Sequence, residues 1–414
     1  MKTDRPRLLM LIPNHGLGGA QRIFQEHIAY FRTYFDVRRA VFNLDDPDLY
    51  SDESEVISLD VKGGGTALTK VRNFARRVSA LRRVKRETGA RICISHLEGA
   101  DHVNLLSRGD EKTILCIQGS KLHDRIFSGP VAFLSRKVLI PVLYNRADAI
   151  VAVSGGIRNE LISMGVAADK IRVITNHCDN ERVLSLADEP LSEEEARIFE
   201  GDPVIVTSAR LHFQKNPKAL IDVFAELKKR RDAKLMLIGD GDLGEELRTQ
   251  ARERGLSVFA SWAGNSLDRD YDVYFMGFQQ NPFKYISRAS LFAFPSDYEG
   301  FPLALCEAML CGAPIVSTDC PTGPREILAR EASSPAVPIR HAEEAPCGML
   351  MPLLNNPDTR AGDVEIWVET LDRLLADPEK RRSFSERARE RAEEFDRERI
   401  LPAWVQLIQE VLRR

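Results

Sequence analysis

Long apolar runs are missing from this chain. No stretch reaches the ~20 consecutive apolar residues that a membrane-crossing helix needs, so no span is expected. A basic excess is missing too: 58 Lys and Arg stand against 61 Asp and Glu, a formal net charge of −3. A nucleic-acid-binding surface normally carries a clear positive surplus, and no nucleic acid is expected as a partner. The seven cysteines (93, 116, 178, 306, 311, 320 and 347) are scattered, without C-x-x-C spacing. That pattern speaks against a disulfide framework or a structural metal and for a reducing, cytoplasmic setting. Residues 1–12 run straight into an apolar strand, with no signal-peptide pattern, and there is no repeat or low-complexity tract. What remains is an ordinary globular composition over 414 residues, enough for two domains with a core each.

Short apolar runs alternate with helical patterns, which predicts α/β architecture built on doubly wound parallel sheets. In the first half the runs are Arg7–Pro13, Val37–Leu44, Val56–Leu59, Arg91–Ser95, Thr113–Ile117, Ala147–Ser154 and Ile171–Asn176. In the second they are Val204–Leu211, Ala233–Ile238, Val273–Met276, Leu291–Phe294 and Pro314–Ser317. Residues 183–202 are rich in Glu, Asp and Pro and lack strand pattern, so they read as a hinge between domains 1–182 and 203–385. Closure about that hinge is expected on ligand binding. The charge-rich helical tail, 386–414, is expected to pack back on the first domain.

The stretch that carries chemistry runs from Asp297 to Asp319. It opens after the buried run Leu291–Phe294, Pro302 suits the first turn of a helix, and Gly312 suits its end. Glu299 therefore falls on a loop at a strand's carboxyl end, where open parallel sheets bind ligands, and Glu307 falls in the helix that follows. Carboxylates on either side of a helix N-terminus suit a ligand bearing both hydroxyls and phosphate. Earlier in the same half, Arg210 and Lys215 sit five apart on the loop after Val204–Leu211. A planar guanidinium and a mobile ammonium together balance a diphosphate. The acid pairs Asp240/Asp242 and Asp268/Asp270 have metal-like spacing, but with two cations already facing the diphosphate no metal is expected.

Glu299-Gly300-Phe301-Pro302, four residues, then Glu307-Ala-Met, with Cys-Gly-x-Pro-Ile-Val after it, resembles the Glu-x7-Glu signature of the retaining glycosyltransferases of family 4. Gly323-Pro-Arg-Glu-Ile-Leu328, the Arg210-x4-Lys215 pair and the glycine loop Gly18-Gly19-Ala-Gln-Arg22 fit the same family. The resemblance implies the GT-B fold, two facing Rossmann-like domains with the nucleotide held by the second. It implies that Glu307 grips the ribose, that Arg210 and Lys215 hold the diphosphate, and that Glu299 with Gly300 and Phe301 holds the donor sugar. Pro302 and Gly239 would border the nucleotide, and Phe278 and Asn281 its base. The donor is expected to be a UDP-hexose or UDP-N-acetylhexosamine, used as a substrate with no further cofactor. The acceptor would be a lipid-linked glycan or polysaccharide, and the leaving phosphate would help deprotonate it.

Gly16, Gly18 and Gly19 lead into the first helix, but the third glycine of the dinucleotide pattern G-x-G-x-x-G is missing. Family members often carry a His after the fifth strand. Here Thr113–Ile117 is followed by Gln118, and His123 is the nearest imidazole, with His96 and His102 as further candidates. The segment Thr69–Thr88 carries eight Lys and Arg beside Val71, Phe74, Ala75, Val78, Leu81 and Val84. It reads as a solvated helix face or as a peripheral contact with an anionic membrane, to which each basic residue adds about 1 kcal/mol. Rival readings are a silent nucleotide-sugar-binding subunit of a transferase complex and a sugar-nucleotide epimerase on the same scaffold.

Overall fold

The computed structural model describes residues 5–14, 16, 18–44, 56–122, 135–264, 266–331 and 338–414. The chain divides into two compact units, Met1–His177 with Glu398–Arg414, and Cys178–Arg397.

The first unit is a seven-stranded parallel sheet of β1 (Arg7–Ile12), β2 (Asp36–Val41), β3 (Val56–Ser58), β4 (Ile92–His96), β5 (Lys112–Ile117), β6 (Ala149–Ala152) and β7 (Ile171–Val173), in the order β3-β2-β1-β4-β5-β6-β7. Leu8 to Ile12 have no accessible surface, as expected for a strand covered by helices on both faces. The helix Ala67–Thr88 starts where the Thr66 side chain accepts from the Thr69 amide and stops at Gly89, in the left-handed conformation (φ 61°). It buries only Leu81, Val84 and Lys85. Val71, expected on the apolar stripe, is instead 67% exposed beside Leu68 at 80%. The helical stretch around Pro141 is two pieces, Ser135–Leu139 and Ile140–Tyr144, so the proline opens the second piece.

The second unit holds β8 (Val204–Ser208), β9 (Lys234–Ile238), β10 (Val258–Ala260), β11 (Val273–Gly277), β12 (Leu291–Phe294), β13 (Ile315–Thr318), β14 (Glu343–Ala345) and β15 (Gly348–Met351). Their order is β10-β11-β9-β8-β12-β13-β15-β14, parallel except for the β14–β15 hairpin. Its core joins Phe224, Phe275, Trp367, Leu371 and Phe384.

Two boundaries differ from the sequence expectation. Residues 183–202 are not an open hinge: the second unit begins at Cys178 and includes helices Asn180–Ala187 and Glu193–Ile198. Acids that look like linker composition are first-turn residues here, where the helix dipole favours them. Ser192 and Glu195 form a reciprocal capping box, and Glu195 also accepts from Lys284 at 2.9 Å. At the other end, helix Pro378–Ala392 stays in the second unit, and the chain re-enters the first only at Glu398.

Candidate active site

In the second sheet the connections leave β8 towards β9 and leave β12 towards β13, in opposite directions along the strand order. The adjacent pair β8/β12 is therefore the switch point, where a crevice opens outside the strands' carboxyl ends. Both candidate loops start there. After β8 the chain runs through Arg210 and a tight turn, Phe213–Lys215. Asn216 then takes a left-handed conformation (φ 48°), which a short amide side chain tolerates, and Pro217 starts the next helix.

Side chains lace this loop to the one after β12. Gln214 Nε2 donates to the Tyr298 carbonyl at 2.8 Å and Asn216 Nδ2 to Asp297 Oδ1 at 3.0 Å, while the Asp297 amide donates to the Gln214 carbonyl at 2.9 Å. On that frame Lys215 Nζ meets Glu299 Oε1 at 2.5 Å, with the two side chains 20% and 7% exposed. Lys215 also lies 5.3 Å from the Phe294 ring centre. Thr322 donates its hydroxyl to the Glu299 carbonyl. Gly323 (φ 95°) packs so closely beneath that a Cβ there would lie 2.5 Å from Pro302 Cδ. Arg325, of the same motif, is buried and bonded to Asp319 and Glu343, so its role is to anchor the loop.

Arg210 is exposed and forms no ion pair with any described residue. It stands on the same β8 loop as Lys215. Glu307 lies half-buried in helix Leu303–Leu310. Pro302 stands one position earlier than expected, at the N-cap, and Gly300, Phe301 and Pro302 are all buried. Gly239 and Gly241 (φ 138° and 158°) run against the β8 loop. A Cβ on Gly239 would lie 2.0 Å from the Ala209 carbonyl oxygen, and one on Gly241 would lie 2.5 Å from that of Leu211. Their part is to let this backbone hold the Arg210 loop.

Past β11, Phe278 is 58% exposed, an aromatic face open to solvent. Asn281 makes structural bonds. Its amide nitrogen donates to the Leu186 carbonyl at 2.8 Å and to Glu189 at 2.9 Å, and its oxygen accepts from the Phe283 amide at 3.0 Å. Those bonds pin helix Asn180–Ala187 and start helix Phe283–Ile286, so the side chain is committed to structure. Of the acid pairs, Asp240 accepts from the Gly241 amide at 2.7 Å and Asp270 from Lys234 at 3.0 Å.

In the first unit Gly18 is extended and Gly19 begins helix Gly19–Phe31. Gln118, after β5, donates to Cys116 Sγ at 3.2 Å and accepts from Asn176 at 3.0 Å, which fixes its amide. His123 lies outside the described residues. His96 and His27 are buried together, ring nitrogens 3.3 Å apart. His177 stacks on His27 and stands 2.9 Å from Glu26. Trp404 closes the group, its ring centre 4.8 Å from that of His27. No spacing in the sequence announces this cluster. Nor does any announce Asp101, which is buried and accepts from Ser95 Oγ at 2.7 Å.

Burial holds both imidazoles neutral. It lowers His27 well below the usual range, helped by His177 and His96, and takes His96 down to about 3. Burial pushes the Asp101 carboxyl up to about 8, against the pull of Lys121. Below pH ~6.5 the unfolded chain takes up protons at His27 and His96 that the folded unit refuses, so stability falls with acidification. Between pH ~4 and about 8 the folded unit instead holds a proton on Asp101 that the unfolded chain releases, so this term falls as pH rises. Burial lowers His102 in the same way, so three imidazoles outweigh the carboxyl below pH ~6.5 while the carboxyl acts alone between ~6.5 and about 8, and stability falls on either side of ~6.5. Urea unfolding is expected to be most demanding near pH 6.5. Asp101→Asn should erase the alkaline decline, and an unchanged pH profile in that variant would count against the assignment.

Family models match both halves: Glycosyltransferase Family 4 over residues 17–182 and Glycosyl transferases group 1 over 188–345. This chain belongs to the family 4 glycosyltransferases. Among curated relatives of this family 4 chain, an uncharacterised glycosyltransferase of Methanocaldococcus jannaschii is 29% identical over 254 residues, 58% of each chain. The N-acetylgalactosamine-N,N'-diacetylbacillosaminyl-diphospho-undecaprenol 4-alpha-N-acetylgalactosaminyltransferase of Campylobacter jejuni is 28% identical over 64% of this chain and 61% of its own. The lipopolysaccharide 1,6-galactosyltransferase of Escherichia coli is 28% identical over 57% and 65%. The chain thus spans about three fifths of the length of the curated relatives it matches. Among solved structures, Anabaena HepE in complex with UDP and glucose superposes with a TM-score of 0.73 at 19% identity, covering 98% of this chain and 100% of that one. That likeness establishes the GT-B fold for this family 4 chain.

Proposed function

We propose that this chain transfers a sugar from a nucleotide diphosphate, a UDP-hexose or UDP-N-acetylhexosamine, to a lipid-linked or polysaccharide acceptor, with retention of configuration and without a metal. The observation that carries the reading is the Lys215–Glu299 pair at the β8/β12 switch point, with Arg210 unneutralised on the same loop. Charge develops on the diphosphate as the glycosidic bond breaks, and cations already fixed in place stabilise it without reorganisation. Glu299, held by Lys215, is placed to exchange part of that bond for donor-sugar hydroxyls. Glu307, one helix turn beyond the N-terminus whose amides favour an anion, takes the ribose. Phe278 offers its exposed face to the base.

Relatives support the acceptor class: the Campylobacter protein's name specifies a diphospho-undecaprenol acceptor and the Escherichia protein's a lipopolysaccharide. HepE, whose complex holds UDP and glucose, supports the donor. Among the described residues no helix is long and apolar enough to cross a membrane. Exposed Leu68 and Val71 stand among the basic residues of helix Ala67–Thr88 and favour a peripheral contact on the inner face of the cell membrane. Nucleotide release should appear with at least one UDP-sugar when undecaprenyl-diphosphate-linked glycan is supplied in anionic vesicles, and more slowly in neutral ones. Binding of UDP-sugars by calorimetry without release against any acceptor would instead make the chain a silent binding subunit.

A further inference from the structure

At the opposite end of the second sheet from the candidate active site lies a hollow of about 310 Å³. Its floor includes Val204, the first residue of β8, and Ser290, just ahead of β12. Three arginines line it, Arg231, Arg288 and Arg381, and among the described residues lining it Asp202 is the sole acid. The three come from separate places: the turn after helix Pro217–Lys228, the turn after Phe283–Ile286, and helix Pro378–Ala392.

Each arginine has a structural bond that accounts for its presence. Arg231 Nε donates to Asp372 at 2.6 Å. Arg381 Nη1 donates to the Leu374 and Leu375 carbonyls, both at 2.6 Å. Arg288 Nη1 donates to the Lys284 carbonyl at 2.6 Å and Nη2 to that of Glu189 at 3.2 Å. Carbonyls orient a guanidinium but do not neutralise it, and neither Arg288 nor Arg381 forms an ion pair with any described residue. A guanidinium carries five N–H donors. Both Nη atoms of Arg231, the Nε and Nη2 of Arg381 and the Nε of Arg288 are left over from these bonds.

Helix capping explains each residue alone. It does not explain why three arginines converge on one cavity: Asp372 pairs with Arg231, but among the lining residues only Asp202 stands opposite Arg288 and Arg381, and like charges at close range raise the free energy unless an anion joins them. Burial lowers the Arg381 pKa, with Asp377 opposing and Arg231 adding a smaller push in the same direction as burial. The lining is polar, the size lies at the small end of ligand sites, and forked donors suit tetrahedral oxyanions.

We propose that this hollow binds a small phosphate-class anion, inorganic phosphate or a compact phosphate monoester, at the amino ends of β8 and β12. Its occupant would touch the strands whose far ends carry Arg210, Lys215 and Glu299.

Calorimetry on the full chain, titrated with inorganic phosphate and separately with glycerol phosphate at fixed ionic strength, tests this. Lys215 and Arg210 could also hold phosphate, so the titrations are repeated in an Arg210→Ala/Lys215→Ala protein, where binding is expected to persist. Arg288→Ala with Arg381→Gln should weaken binding at least tenfold, the glutamine still being able to donate to the helix carbonyls. Asp202→Asn should tighten it several-fold, a change of sign that a folding defect does not produce. Tighter binding of the monoester would identify an ester as the occupant, and equal binding the phosphate group alone. Loss of binding in the Arg210/Lys215 background, or no change in the Arg288/Arg381 and Asp202 variants, overturns the proposal without touching the transferase reading.

Discussion

Glu299→Gln is expected to lower kcat/KM for the sugar nucleotide by ~10²–10³-fold, about 3–4 kcal/mol of transition-state stabilisation, while leaving affinity for free UDP nearly unchanged. Glutamine keeps the volume and a hydrogen-bonding carbonyl but drops the charge that holds Lys215 at 2.5 Å, and in the proposed site this side chain faces the sugar. Lys215→Ala should show the other half of the split, a comparable loss in turnover together with weaker UDP binding, because its ammonium would face the diphosphate. The two side chains touch, so the double variant should lose less than the sum of the singles. Steady-state kinetics and UDP calorimetry on the three proteins decide it. A Glu299→Gln enzyme turning over like its parent would sink the proposed donor site.

Gly239→Ala is expected to destabilise the second unit by about 3–5 kcal/mol, the combined cost of a side chain at φ 138° and of overpacking against fixed backbone. The added methyl would stand 2.0 Å from the Ala209 carbonyl, and neither a rotamer change nor a flexible neighbour can relieve that. Ala209 precedes Arg210, so any relaxation moves the cation's loop and should also weaken UDP binding. Gly19→Ala serves as the control: a Cβ there meets nothing within 4 Å, and stability should stay within about 0.5 kcal/mol. Denaturant unfolding of both proteins separates the outcomes; equal midpoints would show that Gly239 is not a packing requirement.

The strands that carry the candidate site were legible because a parallel strand covered on both faces is a continuous apolar run, as Leu291–Phe294 is. β14 and β15 were missed: Glu343-Glu344-Ala345 is an edge strand with acids in it, and only its pairing with Gly348–Met351 defines it. Residues 180–202 misled for the opposite reason, since caps and first-turn acids have the composition of a linker. Contacts between distant positions were out of reach. Lys215 and Glu299 are 84 residues apart and meet because β8 and β12 are neighbours, a fact of topology. Asn281 sat in a plausible motif, yet its amide was committed to Leu186 and Glu189, which only coordinates reveal.

The first unit is completed by the far end of the chain: Trp404 fills the space against His27, Phe31 and His96. During synthesis at ~5–20 residues per second, the indole reaches the ribosome some ten to fifty seconds after His177 does. Until then the two imidazoles and the phenyl ring lack their cover, so nascent chains shorter than about 400 residues should be open to proteolysis in a region whose own sheet was finished long before. The second unit, whose segments are contiguous from Cys178 to Arg397, can close first, reversing the order in which the ribosome delivers them.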